Sequence, residues 1–146
     1  MFKITKRGNL DLTKKIRNLE KFINDDLAGE LGELAVTHFK KGFAIGGKQT
    51  DDSSGGWVSK QDGSQSHLFR TGKLINSIKV SKYRRRAMVT SNTPYSRMHN
   101  DGLGWRTKSG RTKSGGMPQR EFIGYSTVLN RNSRRYIVKR LRRILK

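Results

Sequence analysis

The sequence predicts an α+β fold: a long N-terminal helix, a small antiparallel β-sheet with long loops, and a basic C-terminal helix. Three patterns carry that expectation. Apolar residues recur at steps of three and four over residues 11–41, the period of a helix. Apolar and polar residues alternate on both sides of Tyr83-Arg84-Arg85-Arg86, the period of a strand. A second helical stripe, wrapped in arginine and lysine, runs to residue 146.

The first helix presents Leu12, Ile16, Leu19, Ile23, Leu27, Leu31, Leu34, Ala35, His38 and Phe39 on one stripe, with Asp11 or Thr13 available as its cap. Gly29 and Gly32 interrupt the pattern at about 1 kcal/mol each, unless another backbone approaches them closely. Gly42 is the expected stop. Residues 42–66 are rich in Gly, Ser, Asp and Gln, and only Trp57 and Val58 offer anchors. A connection this long reads as a flap or as a segment ordered by a neighbouring subunit.

Thr71 to Ile78 suggests a short helical turn capped by Thr71, followed by a hairpin. Ile78, Val80 and Lys82 lie on the first strand and Ala87–Ser91 form the second, with residues 83–86 as the bend. Thr93-Pro94 opens another helical turn, with Pro94 at its first position, and Gly102 closes it. Within the expected loop 102–117, the pentapeptide Arg-Thr-Lys-Ser-Gly occurs twice, at 106–110 and 111–115. It carries no apolar residue and reads as exposed basic loop. Phe122 and Ile123 return to the core. The last helix is expected from about Ser133, with some helix before it and with Tyr136, Ile137, Leu141, Ile144 and Leu145 as its apolar stripe.

The chain has 146 residues, a length suited to one domain over 1–146, and a net charge of +21. That charge is one-sided. Residues 1–62 hold 11 Lys/Arg against 9 Asp/Glu, whereas residues 63–146 hold 21 against 2. A field of that size favours polyanions or an acidic protein face. The absence of cysteine excludes disulfides and thiolate metal sites. The first seven residues have no apolar run behind them, so a secretory signal is not expected. No stretch approaches a membrane span, and synthesis in a cytoplasm is the expectation.

Catalytic chemistry finds little support. His38, His67 and His99 are not spaced as metal ligands, and His38 lies on the apolar stripe as a packed residue. His99 and Asp101 give an incomplete nucleophile–base–orienter pattern. Gly42 to Gln49 nearly spells a phosphate-binding loop, but Gln49 stands where Ser or Thr must hold Mg²⁺, and a helix precedes it. No enzyme, cofactor or metal is therefore expected. The expected product is a basic binding or assembly protein.

An ordered set of motifs runs through residues 42–126: Gly55-Gly56-Trp57, then Leu68-Phe69-Arg70-Thr71-Gly72-Lys73-Leu74-Ile75-Asn76-Ser77-Ile78, then Thr93 to Gly102, then Met117 to Ser126. This arrangement resembles the tailed-phage virion morphogenesis family, also described as tail completion proteins. The resemblance implies an α+β fold, no catalytic residues, and a structural role in the virion at the head–tail junction. It also implies assembly as a ring, expected to be a homo-hexamer, with other neck, connector and tail proteins as partners. Candidate cations facing packaged duplex DNA or a partner protein are Arg84, Arg85 and Arg86 in the hairpin bend; Arg106, Lys108, Arg111 and Lys113 in the repeat; and Arg134, Arg135, Arg140, Arg142 and Arg143 in the last helix. Trp57 and Tyr95 are the candidate subunit-interface residues. A tail terminator and a sequence-tolerant basic DNA-binding protein remain the alternative readings.

Overall fold

A computed structural model describes residues 12–47, 49–51, 56–57, 68, 71–102 and 118–146. The repeat cations Arg106, Lys108, Arg111 and Lys113 lie outside these residues, as do Val58 and His67.

The expected N-terminal helix is present but is built in three parts: α1 (Leu12–Lys21), a single π-helical turn (Phe22–Asp26) and α2 (Leu27–Ala44). Then come α3 (Lys73–Ser77), β1 (Ile78–Tyr83), β2 (Arg86–Ser91), α4 (Ser96–Asp101) and α5 (Thr127–Leu145). The π-helical turn has a reason in the sequence. Leu19, Ile23, Leu27, Leu31 and Ala35 repeat every four residues, a longer period than the 3.6 of an α-helix. A stretch with i→i+5 bonding absorbs the difference and keeps these side chains on one side.

The buried face of α2 is not the leucine stripe that the period suggested. It runs through Gly29, Gly32, Val36, Phe39 and Phe43, with His38 alongside. Leu27, Leu31, Leu34 and Ala35 are only half-buried. The reason is the hairpin. β1 and β2 pair antiparallel with Val80 opposite Val89 and Lys82 opposite Ala87, and the pair lies across the two glycines. A Cβ on Gly32 would stand 2.9 Å from Ala87 Cβ and closer still to the Val80 side chain. The close approach expected at the glycines is thus made by side chains of the hairpin rather than by another backbone.

The hairpin bends where expected. Arg85 takes the left-handed conformation at φ 58°. Its backbone N–H donates to Asn24 O at 3.3 Å and its Nε to Asn24 Oδ1 at 2.6 Å. The tip of the hairpin is therefore fastened to the π-helical turn.

Four boundaries differ from expectation, one of them at α4, which starts at Ser96 with Tyr95 as its cap because Thr93 and Pro94 form a turn ahead of it. The first helix passes Gly42 and ends at Ala44. The cap of α3 is Gly72, in the left-handed region, while Thr71 Oγ1 accepts the Lys73 N–H at 3.5 Å. The last helix begins at Thr127, six residues before Ser133, because Ser126 caps it by accepting the Leu129 N–H at 3.2 Å. Asn130, Arg131 and Asn132 hid that start by carrying no apolar signal.

Candidate functional site

The motif residues converge on one place. Trp57 is 7% exposed, meets Phe43 edge-on with ring centroids 5.3 Å apart, and donates Nε1–H to Glu121 O at 2.9 Å. Phe43 also touches Phe122 at 5.6 Å. Leu74 and Ile78 complete the same core with Val36. The structure thus places Trp57 inside its own chain. Tyr95 is half-buried against that core, and its ring meets His99 edge-on at 5.9 Å.

Helix α4 clamps the segment 118–124. Asn100 Oδ1 accepts the backbone N–H of both Phe122 and Ile123, at 3.1 and 3.0 Å. His99 O accepts the Arg120 N–H at 2.8 Å. Gly102, at φ 69°, closes α4 where a Cβ would stand 2.9 Å from the Gln119 backbone. Ser77 Oγ donates to Leu74 O and pairs with Ser91 Oγ, both at 2.6 Å, which joins α3 to β2. These motif residues close a fold.

Residues 49–51 strap the start of α5 to α2. His38 Nε2 lies 2.8 Å from Gln49 O and 3.0 Å from Ser126 Oγ. Because a carbonyl only accepts, the proton belongs on Nε2. Asp51 Oδ1 accepts from Thr127 N–H at 3.0 Å, a carboxylate set at the positive end of a helix. His38 is packed as expected and also ties three segments together. This part of the long 42–66 connection is held by its own chain.

His99 does not pair with Asp101, whose carboxylate instead takes Arg97 Nε at 3.4 Å and Asn100 Nδ2 at 3.0 Å. Burial, and then the neighbouring Arg120, hold the His99 pKa below its ordinary 6.5. Its Nδ1 is buried without a hydrogen-bond partner among the described residues. Among the described residues, no group of three or more His, Asp and Glu is placed to hold a metal ion. No described helix is long and apolar enough to cross a membrane.

The candidate cations separate into two kinds. At the hairpin, Arg85 is engaged by Asn24, and the Arg86 guanidinium lies 5.0 Å from the centre of the Tyr83 ring. Arg84 is exposed. On α5, Arg140 turns inward: Nη2 reaches Glu30 Oε1 at 2.6 Å and Nε reaches Oε2 at 3.1 Å. Tyr136 donates to the same Oε2 at 2.9 Å. Arg134, Arg135, Arg142 and Arg143 face outward with Lys139 and Lys146, lining one shallow surface around Val138. The last two cations were missed as site residues, although the stripe that excludes them was visible. Like charges stand four apart at 131/135, 135/139, 139/143 and 142/146, costing about 0.2–0.5 kcal/mol each.

A family model described as the phage virion morphogenesis family matches residues 10–146. No curated protein and no solved structure matches the chain.

Proposed function

This chain belongs to the phage virion morphogenesis family, and from that premise we propose that it is a structural protein of the virion at the head–tail junction. In this reading it completes the tail or joins it to the head, as one subunit of a homo-hexameric ring that contacts other neck, connector and tail proteins. The role is one of assembly and involves no catalysis.

The observation that carries the ring is an apolar face left at the surface. Leu12, Ile16 and Ile23 are 63%, 48% and 45% exposed. Half-buried Leu27, Leu31 and Ala35 continue the same side of the helix, and Ala87 and Val89 of β2 border it across a groove. Contiguous apolar surface of this kind marks contact with another protein. A second copy is the natural occupant in a family of assembly proteins, where the same face on each subunit meets a different face on the next and the rotation closes.

Mass spectrometry of purified virions is the primary test, and the chain is expected among their structural proteins. Its absence would remove the proposal. Sedimentation of the purified chain, alone and with neck partners, tests the ring: a species that stays monomeric in both cases removes that part.

A further inference from the structure

We infer that the outward face of α5 is a sequence-independent binding surface for the phosphate backbone of duplex DNA. The source of that DNA, the packaged genome, rests on the virion reading above; the chemistry of the face does not.

The structure divides the helix into two sides. At about 100° per residue, Arg134, Arg135, Lys139, Arg142, Arg143 and Lys146 fall within one half of the helical circumference. The inner half carries Leu129, Tyr136, Ile137, Leu141 and Ile144, with Arg140 among them. The six outward cations, and Arg131 in the same half one turn earlier, are all exposed, and none has an ion-pair partner among the described residues. No acid lies within reach along the chain, because Phe122 to Lys146 contains no Asp or Glu. From Arg134 to Lys146 the row spans about 18 Å, a length over which duplex DNA carries about ten charges.

The composition of the face favours nucleic acid over an acidic protein. Protein interfaces take their energy from buried aromatic and apolar anchors ringed by polar residues. Here the outward half holds only three separate aliphatic residues, Val128, Val138 and Leu145, at 47%, 47% and 55% exposure among its row of cations, and no aromatic side chain joins them. A row of point charges along a helix suits phosphate contacts, which position a protein on the duplex without reading its bases.

The experiment uses the full chain and a fluorescein-labelled duplex of random sequence, read by anisotropy across a potassium chloride series. Wild-type protein is expected to bind with a slope of log K against log salt near −5, from about 0.9 per contact over six contacts. The variant R135Q/K139Q/R142Q/K146Q is expected to lose about three to four units of that slope and to bind roughly tenfold or more weakly at moderate salt. Circular dichroism checks that it folds. An unchanged slope in this variant overturns the inference. So does a slope that disappears instead in R84Q/R86Q, which would move the contacts to the hairpin. Binding to polyglutamate but not to the duplex also overturns it, in favour of an acidic protein partner. A chain that binds duplex through α5 yet is missing from virions keeps this inference and removes the junction role alone.

Discussion

Arg140 closes on Glu30 through two parallel contacts, at 2.6 and 3.1 Å, and is the one cation of its helix that faces the rest of the protein. This pair fastens α5 to α2. It is reinforced by Tyr136 on the same carboxylate and by the Phe22 ring, 5.4 Å from the guanidinium. Lys15 adds a second tie, donating to Leu145 O at 2.6 Å and so neutralising the negative end of α5. A helix whose outer side is dominated by cations is thus tied to the chain partly through charged contacts on its inner side.

Replacing Arg140 by Gln should therefore lower stability while leaving any salt-dependent polyanion binding intact. Both side chains of the pair keep about 30% exposure, 31% and 29%. A measurable coupling is expected, above that of a surface pair and below that of a buried one. A double-mutant cycle with Glu30→Gln in urea measures it. A coupling near zero would show that α5 is held by its apolar stripe alone.

Gly29 and Gly32 should respond in opposite directions to alanine. In an open helix either change gains about 1 kcal/mol. At Gly32 the new methyl meets Ala87 Cβ at 2.9 Å and Val80, both fixed in the sheet. Overpacking of this kind costs about 1–3 kcal/mol and is expected to win. At Gly29 the nearest atom is Lys82 Cδ at 3.2 Å, part of a flexible chain that can move aside. Thermal unfolding should show Gly32→Ala less stable than wild type and Gly29→Ala equal or more stable.

That contrast also shows how much could be read in advance. The order of elements, the hairpin and its bend followed from periods of 3.6 and 2, which are local properties of the chain. The side of α2 that is buried did not, because Val36 and Phe43 look no more apolar than Leu31 and Leu34. What selects them is the hairpin lying on Gly29 and Gly32, a contact fifty residues away in the chain. The same holds for the cations. Composition marked α5 as basic, but only the packed structure separates Arg140, which points at Glu30, from the cations that point outward. Trp57 was visible as an anchor; that its anchorage is Phe43 and the Glu121 carbonyl required the fold.

Asn100→Ala should be among the more damaging single changes outside the apolar core. It removes one acceptor and leaves the N–H groups of Phe122 and Ile123 without it. Partly buried donors stripped of a partner cost about 1–3 kcal/mol. Asn100→Asp keeps an oxygen in place and should recover most of the loss. Equal destabilisation by both variants would mean that the amide nitrogen, and not Oδ1, holds the segment.

Stability should fall on mild acidification because of His99. Its pKa is lowered in the folded chain by burial and then by Arg120, so the unfolded chain binds the proton first. Above the ordinary 6.5 both states are neutral and the residue contributes nothing to the pH dependence. As pH falls below that value the unfolded state gains protons and stability declines, until the folded-state pKa is passed. His99→Gln should flatten the curve of unfolding free energy just below pH 6.5, above the range where most carboxylates titrate. An unchanged curve would place the acid sensitivity elsewhere.

The apolar side of the first helix yields the most direct test of assembly. Ile16 and Ile23 are about half exposed, so a charged residue at either site can keep its head group in water. Ile16→Glu and Ile23→Glu should cost the monomer little, within about 1 kcal/mol. Buried against a neighbouring subunit, the same carboxylate would lose its hydration without a partner and oppose association by several kcal/mol. The two variants should therefore match wild type in monomer unfolding and differ from it in sedimentation, running as smaller species. If they instead unfold readily as monomers, the face belongs to the chain's own core. If they assemble as wild type does, the ring is built on another surface.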